Sequence, residues 1–174
     1  MKNNVNTVQI KNESECLFDY IENCKQQGFK NNQDLKSIKW KWILETGGAW
    51  FATYENNKII SMSGVHPFKD GFRALFRGAQ LKTRSSGINK HHMQSYCFHS
   101  QLPYQIEFAG DNPVYITTNV ANDASGKMLR INKTFFLLEK QNLVEHVSCE
   151  EIFYTTQNVW KLNIKNYNQI RKLY

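Results

Sequence analysis

The chain has 174 residues, 41% of them apolar and 13% aromatic, which suits one domain with a buried core and excludes a disordered chain. Its formal charge of +7 favours polyanionic partners: nucleic acid, acidic membranes or a phosphorylated cofactor. The positive charge is scattered, with no Lys/Arg run, which favours a local anion site over a long nucleic-acid track.

The N-terminal run "MKNNVNTVQIKNES" lacks the apolar core of a signal peptide, and no apolar run is long enough to span a membrane. Cys16, Cys24, Cys97 and Cys149 form no Cys-x-x-Cys pair, so reduced thiols and a cytoplasmic protein are expected. "VNTVQI" suits a short first strand. "NESECLFDYIENCKQQGF" reads as a helix, with Asn12 and Glu15 in capping-box spacing and Gly28 as its stop. "QDLKSIKWKWILETGG" reads as a second helix, capped by Asp34 and ended by Gly47 and Gly48. In "AWFATYENNKIISMSGVHPF" two strand-like runs flank Glu55-Asn56-Asn57-Lys58, where Asn tolerates the positive φ of a hairpin turn. "FRALFRGAQLKTR" reads as a third strand of this meander.

"INKHHMQSYCFHSQL" reads as the next helix, with Pro103 expected to end or kink it. "PVYITTNV" is an apolar strand. "NDASGKMLRINK" reads as a short helix weakened by Gly126. "TFFLLEKQNLVEHV" and "EIFYTTQNVWKLNI" read as late strands, and residues 165–174 as a polar tail or a short terminal helix. No composition shift marks a second domain, so residues 1–174 are expected to form one.

The centre of this order is strand, helix, strand, over Phe72–Leu81, Ile88–Leu102 and Val114–Val120. Its two strands can lie parallel, joined by a right-handed crossover. The loop after the first strand then meets a helix N-terminus, where unpartnered N–H groups and the helix dipole favour a phosphate. Such a loop needs small residues, and Arg84-Ser85-Ser86-Gly87 supplies them beside the charge of Lys82. Read alone, Ser-Ser-Gly favours an ordinary linker.

The order of elements resembles the GNAT acetyltransferase superfamily. Its members have two early helices, an antiparallel meander, and a strand–loop–helix whose loop reads Gln/Arg-x-x-Gly-x-Gly/Ala. The matching run is Arg84-Ser85-Ser86-Gly87-Ile88-Asn89, with Asn89 where the family has Gly or Ala. The resemblance spans roughly Asn12 to Leu162. It implies an α/β fold, a mixed and mostly antiparallel sheet flanked by helices, and transfer of an acetyl group from acetyl-CoA, or another acyl group from its CoA thioester, to an amine. By position, the backbone of Leu81, Lys82 and Thr83 would face the pantetheine arm. The N–H groups of Arg84, Ser85, Ser86, Gly87, Ile88 and Asn89 would face the pyrophosphate, and Asn122 would also contact the cofactor. Many members carry a Leu-Tyr pair on the short helix, whose Tyr protonates the leaving thiolate. Leu129-Arg130 is the nearest match, and an arginine there would stabilise the thiolate by charge rather than as an acid. His66 is a base candidate for the attacking amine, with a loop histidine as its plain alternative, and Glu107 is a second candidate.

Three histidines on the third predicted helix, His91, His92 and His99, lack metal-ligand spacing, and no metal is expected. Trp40 and Trp42 suit one core and one half-exposed position. The implied acceptor is a small-molecule or protein amine, with no membrane partner and room for a homodimer. Two other readings stand beside this one. The chain could be a catalytically silent domain of the same fold, binding a partner or a nucleotide-like ligand, or a small basic nucleic-acid-binding protein, which the scattered charge disfavours.

Overall fold

Two asparagines make the first hairpin. The computed structural model describes residues 5–10, 37–75, 101–121, 126–152 and 154–171. Within them, Asn56 and Asn57 have φ of 48° and 64°, and Glu55 faces Lys58 across a two-residue turn. Positive φ at both central residues gives the turn the twist that a strand pair needs. This turn joins β2 (Ala49–Glu55) to β3 (Lys58–Phe68), and β1 (Val5–Ile10) pairs antiparallel with β2 on its other side.

Among the described residues, hydrogen bonding orders seven strands as β1-β2-β3-β4-β5-β7-β6, with β4 spanning Gly71–Leu75, β5 Val114–Asn119, β6 Val144–Ile152 and β7 Thr155–Leu162. Pairs β1–β2, β2–β3, β5–β7 and β6–β7 are antiparallel, and β4–β5 is parallel. The expected α/β architecture, a mixed and mostly antiparallel sheet flanked by helices, is what the chain forms. It divides into two compact units, one of residues 1–67 and 74–110 and the other of 68–73 and 111–174.

In the first unit, helix α1 (Ser37–Glu45) buries Ile43 and ends at Gly47, whose φ is 85°. At Gly48 a Cβ would fall 2.2 Å from the Val65 carbonyl, so only glycine lets α1 return this closely to β3. The twin-glycine stop therefore acts through two causes, one conformational and one steric. Helix α2 (Leu102–Ala109) sits on β2, burying Leu102, Ile106 and Ala109. Pro103 lies in its first turn. It was expected to end or kink the helix over Ile88–Leu102, of which only the last two residues are described; among the described residues it stands in the opening turn of α2, where an N–H has no partner within the helix and the proline φ fits.

Polar groups also enter the buried face of α2. Gln101 and Gln105 are fully buried one turn apart. Gln101 Nε2 donates to Thr53 Oγ1, which also bonds Thr7 Oγ1, and Gln105 Nε2 donates to Ser63 Oγ and the Gly64 carbonyl. Buried amides need such partners to offset their lost hydration.

In the second unit, β5 and β7 supply the core residues Val114, Tyr115, Ile116, Val159, Trp160 and Leu162. Helix α3 (Lys127–Lys140) covers part of this sheet. The run Thr134–Lys140, expected to be strand, belongs to α3. Met128, Ile131, Phe135 and Leu138 recur at helical spacing and are its more buried apolar residues. Gly126 does not weaken the helix interior; it precedes it in the left-handed conformation, at φ 62°. The late strands are accordingly β6 and β7, with a bulge in β6 between His146 and Ser148. The C-terminal run forms helix α4 (Ile164–Arg171).

Candidate functional site

The parallel pair β4–β5 brings the N-terminal ends of both strands together, with Phe72 opposite Val114 and Arg73 opposite Tyr115. Their approach is fixed by Gly71, where a Cβ would lie 2.1 Å from the Pro113 carbonyl, and by the Phe72 N–H, which donates to that oxygen at 2.9 Å. Because the strands run the same way, the segments that follow them leave from their C-terminal ends, the usual place for a ligand in such sheets. The segment after β4 contains Leu81, Lys82, Thr83, Arg84, Ser85, Ser86, Gly87, Ile88 and Asn89. These residues, like Asn122 after β5, lie outside the described residues, as do His91, His92, His99, Cys97 and the helix expected over Ile88–Leu102, save its last two residues.

The two catalytic candidates are described. His66 lies within β3, not after it, and is 2% exposed. Its ring packs edge-on to Trp42 with centroids 5.0 Å apart. Its Nδ1 is 2.8 Å from the Pro67 carbonyl. A carbonyl only accepts, so Nδ1 carries a proton in this contact. Arg130 lies on the exposed face of α3, and its Nη1 is 3.5 Å from where a Cβ on Gly126 would sit. His66 belongs to the first unit and Arg130 to the second. Glu107 is exposed on α2.

The extension of α3 bears on the Leu-Tyr expectation. A second leucine-led pair, Leu137-Leu138, now lies on the same helix, and no tyrosine occurs anywhere along it. A phenolic acid is therefore absent from α3 in either alignment.

Sequence reasoning missed a polar network beneath α3. Asn132 Oδ1 accepts from Thr118 Oγ1 at 2.6 Å and from Asn158 Nδ2 at 2.9 Å. Asn132 Nδ2 donates to the carbonyls of Asn119 and Met128, each at 3.0 Å. Thr118 Oγ1 also accepts from the indole N–H of Trp160, and Asn158 Oδ1 lies 3.1 Å from His146 Nε2. On the opposite face of the sheet, the buried Arg73 donates to Thr117 Oγ1 and Gln157 Oε1. The register of β5 on β7 and the packing of α3 over β5 bring the Asn132 network together, and neither was legible as a motif. Among the described residues, no group of three His, Cys, Asp or Glu side chains is placed to hold a metal, and no helix is long and apolar enough to cross a membrane.

No protein-family model matches the chain, and no curated protein matches it in sequence. Solved structures do match. A GNAT-family acetyltransferase from Desulfovibrio desulfuricans superposes with a TM-score of 0.60 at 8% identity, over 91% of this chain and 98% of the other. A GNAT-family acetyltransferase from Elizabethkingia anophelis, solved with acetyl-CoA bound, gives 0.57 at 10% identity over 92% and 99%. The ribosomal-protein-S18-alanine N-acetyltransferase from Escherichia coli gives 0.57 at 10% identity over 91% and 93%. The architecture is thus that of the acyl-CoA N-acyltransferases. More narrowly, the chain has the GNAT acetyltransferase fold.

Proposed function

We propose that this chain is an N-acyltransferase that moves an acyl group, most simply acetyl, from a CoA thioester to the amine of a small molecule or protein. The parallel β4–β5 pair carries this reading, with the Arg84–Asn89 run following one strand and Asn122 following the other. The first turn of α3 also suits an anionic cofactor: it holds no acidic residue, and Gly126 offers no side-chain cap to its N–H groups. One solved neighbour was crystallised with acetyl-CoA, and another acts on a protein amine.

In the proposed reaction the neutral amine attacks the thioester carbon, a C–N bond forms, the C–S bond breaks, and the CoA thiolate leaves. The backbone of Leu81, Lys82 and Thr83 would hold the pantetheine arm, the N–H groups of Arg84 through Asn89 the pyrophosphate, and Asn122 the cofactor beyond β5. His66 Nε2 is the proposed acceptor of the amine proton. Arg130 is the proposed cation for the departing thiolate. The same reading makes the chain one cytoplasmic domain, with no metal and no membrane partner, that can pair as a homodimer.

The lack of a tyrosine on α3 favours one second reading, a domain of this fold that binds a partner or a nucleotide-like ligand without turnover. Thermal melting with and without acetyl-CoA tests the enzyme reading. Binding should raise the midpoint by mass action, and no shift at millimolar acetyl-CoA overturns that reading. Gly87→Glu should abolish the shift and leave the fold intact, whereas Arg84→Ala should weaken it less, because backbone donors do most of the holding. Release of free thiol in the presence of an amine separates the enzyme from the silent domain.

A further inference from the structure

Helix α3 is apolar on two sides. Its inner side, with Met128, Ile131, Phe135 and Leu138, covers the sheet. Its outer side carries Leu129, Phe136 and Leu137, exposed at 55%, 45% and 57%. A helix that is apolar all round is normally buried, so the outer side calls for a covering surface. Leu129, Lys133, Phe136, Leu137 and Lys140 stand at i, i+4, i+7, i+8 and i+11, which share one helix face. Lys133 and Lys140 are exposed there. The one acid of α3, Glu139, is half-buried, and its Oε1 accepts the His146 N–H at 3.0 Å. The outer face is therefore apolar and cationic, with no carboxylate among its described side chains. Phe136 is a rigid centre for it. Its ring meets Trp160 edge-on with centroids 5.0 Å apart and lies 6.1 Å from the His146 ring. Its place is set before any partner arrives, so it loses little rotamer freedom on binding.

We infer that the outer face of α3 docks an acidic amphipathic segment of a protein partner. Apolar side chains of that segment cover Leu129, Phe136 and Leu137, and its carboxylates meet Lys133 and Lys140. Two other occupants fit the charges less well. A second copy of this face would set lysine against lysine across a twofold axis. A flat anionic bilayer would also meet the exposed Glu151. Glu151 stands opposite Thr156, two residues from Asn158, and so lies on the sheet face that α3 covers. A narrow segment along α3 avoids both conflicts, and its docking does not depend on turnover.

The test uses the full chain and a synthetic, fluorescently labelled helical peptide, with leucines at i, i+3, i+4 and i+7 and glutamates beside them. Its anisotropy should report saturable binding that weakens as salt rises. Leu137→Ser should weaken binding roughly tenfold, and Lys133→Glu combined with Lys140→Glu at least as much. These positions are exposed, so circular dichroism and the melting midpoint should match the wild type. A peptide with lysine in place of glutamate should bind the charge-reversed protein better than it binds the wild type, which a merely structural role would not produce. Failure of the acidic peptide to bind the wild type, or equal binding by Leu137→Ser, overturns the inference. A wild-type dimer that Leu137→Glu dissociates also overturns it, and assigns the face to a second copy. So does retention on phosphatidylserine vesicles, but not on phosphatidylcholine vesicles, that the charge reversal abolishes, which assigns the face to a bilayer.

Discussion

The phenol of Tyr115 donates to Asp70 Oδ1 at 2.5 Å, tying the second residue of β5 to the residue just before β4. The Tyr115 ring is buried against Phe68, while Asp70 is exposed. Burial, then the hydrogen bond and the negative charge of Asp70, push the phenol up to about 12. The same hydrogen bond, helped by Lys161 and Lys69, holds the Asp70 carboxyl below its ordinary value. The pair lies at the N-terminal end of the parallel strands and ties the approach to β4 to β5.

Two limbs of pH dependence follow from that pair. A raised phenol contributes stability in full below its ordinary value of 10, and loses it as pH climbs toward about 12. A depressed carboxyl contributes in full above its ordinary value of 3.8, and loses it as pH falls through the lowered one. Tyr115→Phe should flatten the alkaline limb and reduce the acid limb, where the lysines still act. Thermal midpoints taken across both ranges check this, and curves that run parallel for the two proteins count against it.

Thr118→Val should destabilise the second unit by about 1–3 kcal/mol, although it conserves shape. Trp160 is fully buried and its indole N–H donates to Thr118 Oγ1 at 2.9 Å, so valine leaves a buried donor without that partner. Urea unfolding measures the loss. Adding Trp160→Phe removes the orphaned donor, and the two changes together should cost less than the sum of each alone.

Gly71→Ala should cost about 3 kcal/mol, a large effect for one methyl group. The new Cβ would press on the Pro113 carbonyl, which also receives the Phe72 N–H. The backbone on both sides would have to separate, loosening the start of the parallel pair. Gly110→Ala is the matched control, since nothing lies within 4 Å of its Cβ position. Its strain is conformational, from a φ of 61°, and should cost about 1 kcal/mol.

Elements defined by local chemistry were legible in the sequence. The Asn56-Asn57 turn, the twin-glycine stop and the apolar β5 each carry their cause within a few residues. The parallel pairing of β4 with β5 was legible too, because a strand–helix–strand order allows few topologies. What misled was punctuation with two meanings. Pro103 ends a helix or begins one, and Gly126 weakens a helix or precedes it in a left-handed turn. Each choice depends on tertiary packing, and the length of α3 was missed because the apolar run Thr134–Leu138 suits a strand as well as a helix. The polar network around Asn132 was illegible for another reason: its members are brought together by strand register, and asparagine and threonine side chains advertise no chemistry until they are buried side by side.

Gln105 permits the last test, on the buried polar face of α2. Its Nε2 donates to Ser63 Oγ at 3.0 Å and to the Gly64 carbonyl at 2.9 Å, while its Oε1 has no partner among the described residues. Gln105→Leu loses both bonds and should cost about 2 kcal/mol at any pH. Gln105→Glu should behave differently. A protonated carboxyl can still donate one bond, whereas a carboxylate would face the Gly64 carbonyl in a fully buried position. Burial raises the folded-state pKa of such a glutamate above its ordinary value of about 4.3, so the variant is most stable below that value and weakens steadily as pH rises. Unfolding free energies at several pH values from about 4 to 8 should therefore fall for Gln105→Glu relative to Gln105→Leu. A constant difference between the two variants would mean that the glutamate reaches solvent, and that the α2 face is less tightly closed than its geometry states.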